Sequence, residues 1–351
     1  MTEPKAVNPY RNLGAEAFWK RAISEKSPFE LENLYTKKFD LDDLKIATAG
    51  SCFAQHIGRV LRENGFRYLD FERAPRRLPP EERAKYGYGI YSARYGNIYT
   101  ARQLLQMFRR AYGQFTPKEH AWTKGGRVFD PFRPNIEPEG FGSVEEMEAH
   151  RASHLDAVRK MFRWANVFVF TMGLTESWLS REDGAVFPVV PGAAGIGTFD
   201  PGRHEFRNMA ASEVLADMKE AIAAIREVNP SCRFLLTISP VPLVATASGN
   251  HVLPATMYSK SVLRAVAGEL SDSDENIDYF PSYEIIASHP MRGMFFQPNM
   301  REVTEHGVNY VMTHFTREHR PQQNTTVAEE AAEENFDWTL CDEEKLEAFA
   351  E

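Results

Sequence analysis

KIATAGSCFAQHIGRVLRENGF (residues 45–66) opens with a short apolar run that stops at Gly50, sets Ser51 and Cys52 side by side, and then turns to helical periodicity. A run this short, bounded by glycine, reads as a strand covered on both faces. The reading therefore places two nucleophilic side chains where a strand hands over to a helix. At such a turn the free N–H groups of the first helical residues and their partial positive charge favour a thiolate or a developing oxyanion. The plainer alternative makes Ser51 an N-cap and Cys52 a small buried residue.

Working outward, three further apolar runs read as buried strands: NVFVFTMGL (166–174), RFLLTISPVPL (233–243) and IDYFPSYEII (277–286). A weaker one is FRYLDFE (66–72). Helical patterns at 53–64, 100–113, 143–165, 212–229 and 255–270 lie between them, the fourth with Ser212 as an expected N-cap and Pro230 as its stop. Strands alternating with helices predict a three-layer α/β domain around a parallel sheet over residues 1–320. Residues 75–142, rich in Pro, Gly, Arg and aromatics, read as an insertion that forms a lid. Residues 321–351 are strongly acidic and read as a mobile tail, with FDWTLCDEEKLEAF (336–349) able to dock as a short amphipathic helix.

Composition narrows the function. The 351 residues are 43% hydrophobic with a net charge of −8, which implies no basic face for nucleic acid. Cys52, Cys232 and Cys341 have neither metal-ligand spacing nor an even number for a disulfide framework. No run approaches the ~18 apolar residues of a membrane span, and the N-terminus lacks a signal-peptide pattern. The expected location is cytoplasmic. No G-x-G-x-x-G follows a strand, which disfavours a dinucleotide-binding protein, and no metal or cofactor is expected.

Six separated blocks, GSCFAQHIG, YSARYGNIYTARQLLQ, FTMGLTESW, TISPVPLVAT, YSKSVLRAVA and YFPSYEI, together resemble the GSCFA-domain family from about residue 40 to residue 315. That family is similar to the SGNH/GDSL hydrolases. The resemblance implies a flavodoxin-like sheet and acyl-ester chemistry, an esterase or O-acyltransferase acting on a carbohydrate or other polar ester, with acyl-CoA open as a donor. The superfamily begins with Gly-Asp-Ser, so the resemblance puts Cys52 at the nucleophile position and Ser51 beside it, with Ser51 as the alternative. For the oxyanion hole it points to Gly96 and Asn97, to Gly173, and to Thr175 and Glu176 where the superfamily has Asn-Asp. Asn97 also reads as a turn residue, and Glu176 as a salt-bridged loop carboxylate.

The last superfamily block, Asp-x-x-His, departs here. Counting back from Gly307 puts Asn299 at the aspartate and Glu302 at the histidine. His251, His306 and Glu302 are then the alternatives for a base, with His56 one helical turn beyond Cys52. A thiol needs less help from a base than a hydroxyl does. Arg94, Lys260 and Arg264 are candidates for holding an anionic substrate group, or ordinary structural basic residues. A protein on the same scaffold that binds without catalysis is the competing function.

Overall fold

The computed structural model describes residues 8–320 and 342–349, the side chain of Ala348 excepted. Four parallel strands form the central sheet in the order β1 (Ile46–Gly50), β2 (Val167–Met172), β3 (Arg233–Ile238) and β4 (Ile277–Phe280). Ile46 stands opposite Val167, Val167 opposite Arg233, and Phe234 opposite Ile277. Outside β1 the weak run at 66–72 contributes a single parallel bridge, Ile46 to Tyr68. Counting that bridge, the strand order in chain sequence is 2-1-3-4-5, the flavodoxin-like order.

Alternation along each strand explains the layers. Ala47, Ala49, Phe168, Phe170, Phe234 and Leu236 face one core. Helices α2 (Ala101–Ala111), α3 (Val144–Trp164), α4 (Ala211–Val228) and α5 (Val252–Ser273) cover it. Ile46, Val167, Val169 and Leu235 face the other, under α1 (Ala54–Glu63), α6 (Ser282–Ala287) and α7 (Glu305–His319). The small Ala47 pairs with the large Phe168, and Ala49 with Phe170, so the sheet face fills without crowding. Truncating a phenylalanine such as Phe168 to alanine there would cost about 3–5 kcal/mol.

Several boundaries differ from the sequence reading. The run 277–286 is a strand only to Phe280; after Pro281 the chain turns into α6, where the Ser282 hydroxyl lies 2.6 Å from that of Thr237 and 2.8 Å from the Ile238 carbonyl. Helix α4 starts one residue before the expected cap. Ala210 is its N-cap, and Glu213 reaches back to accept from the Ala210 N–H at 2.9 Å. Within the expected insertion, α2 belongs to the main core, because Leu104, Leu105 and Phe108 pack on the sheet layer.

The segments around α2 build a smaller second layer. The hairpin Trp122–Lys124 with Arg127–Phe129, and an antiparallel sheet of Glu176–Ser180 flanked by Val186–Phe187 and His204–Asn208, were not anticipated. Trp122, Phe129, Phe132 and Phe187 join them in one apolar cluster. Leu346, from a 3-10 helix at Asp342–Phe349, packs against it. That part of the acidic C-terminal region is docked; residues 321–341, Cys341 among them, lie outside the described residues.

Candidate active site

In an open parallel sheet the binding crevice opens beyond the carboxyl ends of the strands where the order reverses, here between β1 and β2. Ser51 leaves β1 at that point, and Gly173 leaves β2. Gly50 makes the exit feasible. Its φ is +147°, and a Cβ there would lie 2.4 Å from the Thr171 carbonyl oxygen. Ser51 N–H then donates to that same carbonyl at 3.0 Å. The helix begins at once, with Ala54 N–H on Ser51 O (2.9 Å) and Gln55 N–H on Cys52 O (3.1 Å).

Ser51 and Cys52 are both buried in this turn, at 2% and 3% exposure. Ser51 is not an N-cap. Phe53 occupies that position, no side chain caps α1, and the Ser51 hydroxyl has no hydrogen-bond partner among the described residues. Leaving a buried hydroxyl unmatched costs about 1–3 kcal/mol, and Ser51 shares that cost with Thr171, whose buried Oγ1 is also unmatched.

The loop 91–99 runs alongside. Tyr91 donates its hydroxyl proton to Asn97 Oδ1 at 2.6 Å, and its oxygen lies 3.1 Å from the Ser51 carbonyl. With Oδ1 engaged, the Asn97 amide must present Nδ2 in the other direction. Gln103 fixes the loop backbone by donating to Asn97 O (3.0 Å) and accepting from Tyr99 N–H (2.8 Å). Asn97 Nδ2 donates to Asp342 Oδ2 at 2.9 Å. Gly96, with φ +69°, lines the same cleft, and nothing lies within 4 Å of where its Cβ would be.

At the end of β2, Gly173 does not offer its N–H to a ligand, since that group donates to Tyr99 O at 2.9 Å. A Cβ on Gly173 would sit 3.0 Å from Ser51 Cβ and 3.1 Å from the Tyr99 ring, so glycine is what lets the two strand ends close up. Its carbonyl accepts from Lys260 Nζ at 2.8 Å. Lys260 is 1% exposed, so its amine is buried against the end of β2. Thr175 is structural: its N–H donates to Ser259 Oγ (3.0 Å) and its hydroxyl to Asn208 Oδ1 (2.7 Å). Glu176 accepts from the Thr246 hydroxyl at 2.6 Å, and burial pushes its carboxyl above the usual range. It lines a neighbouring cleft with Tyr99, Trp178, Leu243 and Leu346.

Arg94 is a clamp for this loop. Buried to 2%, it donates to Tyr86 O (2.8 Å), Ile136 O (3.0 Å) and Glu137 Oε1 (2.7 Å) and lies over the Tyr88 ring. Its N–H is held by Glu72 Oε2 at 2.6 Å, the carboxylate that also meets His154 Nδ1 at 2.6 Å. Burial and Arg133 push His154 down to about 4, so at neutral pH it is an uncharged donor to Glu72. Beside them Asp130, fully buried, is held far below the usual carboxylate range against the pull of burial by Arg133, Arg151 and Arg110, with Arg133 Nε and Arg151 each 3.0 Å away.

The remaining expected residues stand apart from this cluster. His251 is exposed and caps α5, its Nδ1 accepting from Leu253 N–H at 3.1 Å. His306 is exposed and packs edge-on against Phe29. Glu302 is exposed, and Asn299 uses its Oδ1 on the backbone N–H groups of Arg301 and Glu302 (3.0 and 3.1 Å). Arg264 pairs with Glu284 at 2.5 Å and lies over Tyr279. Half-buried His56 packs edge-on against Phe53, and burial with Arg59 nearby pushes it down to about 4. The structure therefore sets the Ser51–Cys52 turn beside Gly173 and, through Tyr91, beside Asn97, with Gly96 and Asn97 lining the cleft and Lys260 hydrogen-bonded to Gly173. It also adds Tyr91, which the sequence marked only as an aromatic able to stack on a sugar ring, and Asn135 and Asp342, which carried no signal.

The sequence model of the GSCFA family matches residues 45–315. No curated protein matches the chain. Among solved structures, an acetyl esterase mutant with an acetate ion aligns at 8% identity and a TM-score of 0.33, covering 77% of this chain and 93% of its own. A carbohydrate esterase family 3 protein from Talaromyces cellulolyticus aligns at 9% identity and a TM-score of 0.35, covering 78% and 94%. Likeness at that level carries no functional weight. Among the described residues no helix is long and apolar enough to cross a membrane.

Proposed function

The chain belongs to the GSCFA family, and from that premise we propose that it is an acyl-transfer enzyme, an esterase or O-acyltransferase, acting on a carbohydrate or other polar ester. One observation carries the reading. An amide donor, Asn97 Nδ2, is turned outward by Tyr91, and the same tyrosine touches the backbone of the Ser51–Cys52 turn. A nucleophile and a preoriented donor for the oxyanion are the two parts acyl transfer needs most.

In this reading Cys52 Sγ attacks the ester carbonyl carbon, the carbonyl oxygen takes the negative charge, and Asn97 Nδ2 stabilises it. Lys260 accepts the thiol proton and delivers it to the departing alkoxide, leaving an acyl-enzyme. Water or an acceptor hydroxyl then attacks the acyl carbon, giving its proton to Lys260, which passes it to the sulfur as that leaves, restoring the Cys52 thiol. An acyl-CoA donor fits the first step equally, since one thioester is exchanged for another. Ser51 is the alternative nucleophile, favoured by its unmatched buried hydroxyl. We assign the base to Lys260, a buried amine at the end of β2, in place of the superfamily histidine because His251, His306 and Glu302 are exposed, with His251 capping α5 and His306 packed on Phe29.

The test is incubation of the full chain with 4-nitrophenyl acetate and acetylated sugars, with an acyl-enzyme trapped by acid quench and mapped by peptide mass spectrometry. An acetyl group on the peptide holding Ser51 and Cys52 supports the proposal. Turnover that survives unchanged in both Ser51→Ala and Cys52→Ala sinks it. A second reading, a non-catalytic binding protein, is favoured by one observation: Asn299 and Glu302 stand exposed where the superfamily has its Asp and His. Ligand binding with no acyl-enzyme from any ester or thioester would select it.

A further inference from the structure

The C-terminal helix Asp342–Phe349 lies across the cleft described above, and its contacts are specific. Asp342 is 4% exposed. Its Oδ2 accepts from Asn97 Nδ2 at 2.9 Å, its Oδ1 accepts from Asn135 Nδ2, and its N–H donates to the Tyr99 hydroxyl at 3.0 Å. Each carboxylate oxygen thus receives an amide donor of its own, one from the loop beside β1 and one from the insertion. Further along, Glu344 lies 3.7 Å from Arg301, and Leu346 packs on the apolar cluster around Phe187. The segment bridges from the oxyanion loop to the entry of α7.

An aspartate side chain is a methylene bearing a carboxylate, in effect an acetate ion on a tether. We propose that the pocket between Asn97 and Asn135 is a subsite for a small carboxylate, and that the chain's own Asp342 occupies it in cis, so that ligand enters only as the C-terminal segment lifts. The pairing of two separate amides with two oxygens reads a planar carboxylate. A neutral ester carbonyl has one oxygen to offer this pair. Tied to the acyl-transfer reading, the ligand is the free acid released from the acyl group, and the docked segment is a built-in product mimic. The binding claim itself does not require catalysis.

A site filled by a tethered competitor binds an external ligand more weakly by the fraction of molecules in which it is open; if one molecule in ten is open, the loss is about tenfold. The experiment is a titration of the full chain with sodium acetate, followed by saturation-transfer NMR, in the wild type, Asp342→Ala, Asp342→Ala with Asn135→Ala, and Leu346→Asp. Leu346→Asp frees the segment while leaving both amides in place, and it guards against misfolding of the first variant. Acetate affinity at least tenfold higher in Asp342→Ala and in Leu346→Asp, lost again when Asn135 is also removed, is the expected result. Equal acetate affinity in the wild type and both single variants overturns the proposal, as does acetate binding that ignores Asn135. Acetate binding in Asp342→Ala with no acyl-enzyme in any variant would overturn the acyl-transfer reading alone. Acyl-enzyme formation without acetate binding would overturn only the subsite.

Discussion

Asn97 Nδ2 donates to Asp342 Oδ2 across 2.9 Å, although the two residues are 245 positions apart in the chain. The amide to which the proposed reaction gives the oxyanion is therefore held, in the resting molecule, by an anion from the same polypeptide. Tyr91 on one side and Asp342 on the other leave the Asn97 side chain a single orientation. Preorganisation of this kind is what gives an oxyanion donor its value, because no reorientation is needed as charge develops.

Asn97→Ala should lower kcat for an acyl ester by about 10²–10³-fold with little change in KM, the size expected for one lost oxyanion donor. Steady-state kinetics on 4-nitrophenyl acetate give the split. A rise in KM at constant kcat would place Asn97 in ground-state binding instead.

Cys52→Ala and Ser51→Ala should not be equivalent. Removing the attacking atom should abolish the trapped acyl-enzyme, whereas removing its neighbour should leave the adduct detectable. Acid-quench mass spectrometry on the two variants names the nucleophile. Both residues are almost fully buried, so each variant needs a thermal melt beside it.

Lys260→Met keeps the length of the side chain and removes the amine. The Gly173 carbonyl loses its 2.8 Å donor, at a cost of about 1–3 kcal/mol in stability. If Lys260 carries the proton, kcat/KM falls by about 10²–10⁴-fold and its rising acid limb disappears from the pH profile. A merely structural lysine would lower the melting temperature and leave that limb in place.

Gly173→Ala should destabilise the fold by about 1–3 kcal/mol, because the new methyl meets Ser51 Cβ at 3.0 Å and the Tyr99 ring at 3.1 Å inside a packed crevice. Denaturant unfolding measures the loss. Activity should drop with it, since the methyl pushes directly on the nucleophile turn.

Acid should unfold the protein earlier than its surface charges require. His56, His154, His314 and His319 are each pushed down to about 4, by burial first and then by Arg59, Arg133, Arg317 and Lys37 respectively. A histidine depressed in the native state binds its proton more readily when unfolded. Its contribution to stability is complete above about pH 6.5 and is lost as pH falls toward 4, by ~1.4 kcal/mol per pH unit for each proton taken up on unfolding. Urea midpoints measured from pH 8 to pH 4 should be flat at first and then fall. A flat profile down to pH 4.5 would contradict the burial of these rings.

The strand–helix alternation and the strand-to-helix turn at Ser51 and Cys52 were legible from residues 45–66 onward, because continuous apolar runs ending in small residues have few other solutions in a parallel sheet. Tertiary context decided the rest. Pro281 ends β4 in the middle of an apolar run, and α6 continues it with the same residue types, so hydrophobicity alone could not separate strand from helix. The basic candidates could not be told apart for a related reason. Arg94, Lys260 and Arg264 look alike in sequence, yet one clamps the insertion, one sits buried behind Gly173, and one makes a partly exposed pair with Glu284. Asn135 and Asp342 had no local signal at all, since their roles exist only where distant segments meet.

The outer edge of β1 has one bridge to Tyr68 and is otherwise matched by the loop that carries Asn97. Ser92 Oγ accepts from Thr48 N–H at 3.0 Å, Tyr95 donates to Thr48 O, and Ile98 N–H donates to Gly50 O at 2.8 Å. The loop is thus indexed to the strand residue by residue, as a vernier is to its scale. The Ser51–Cys52 turn and Asn97 are measured from one common ruler, so the spacing between them is set by β1 itself.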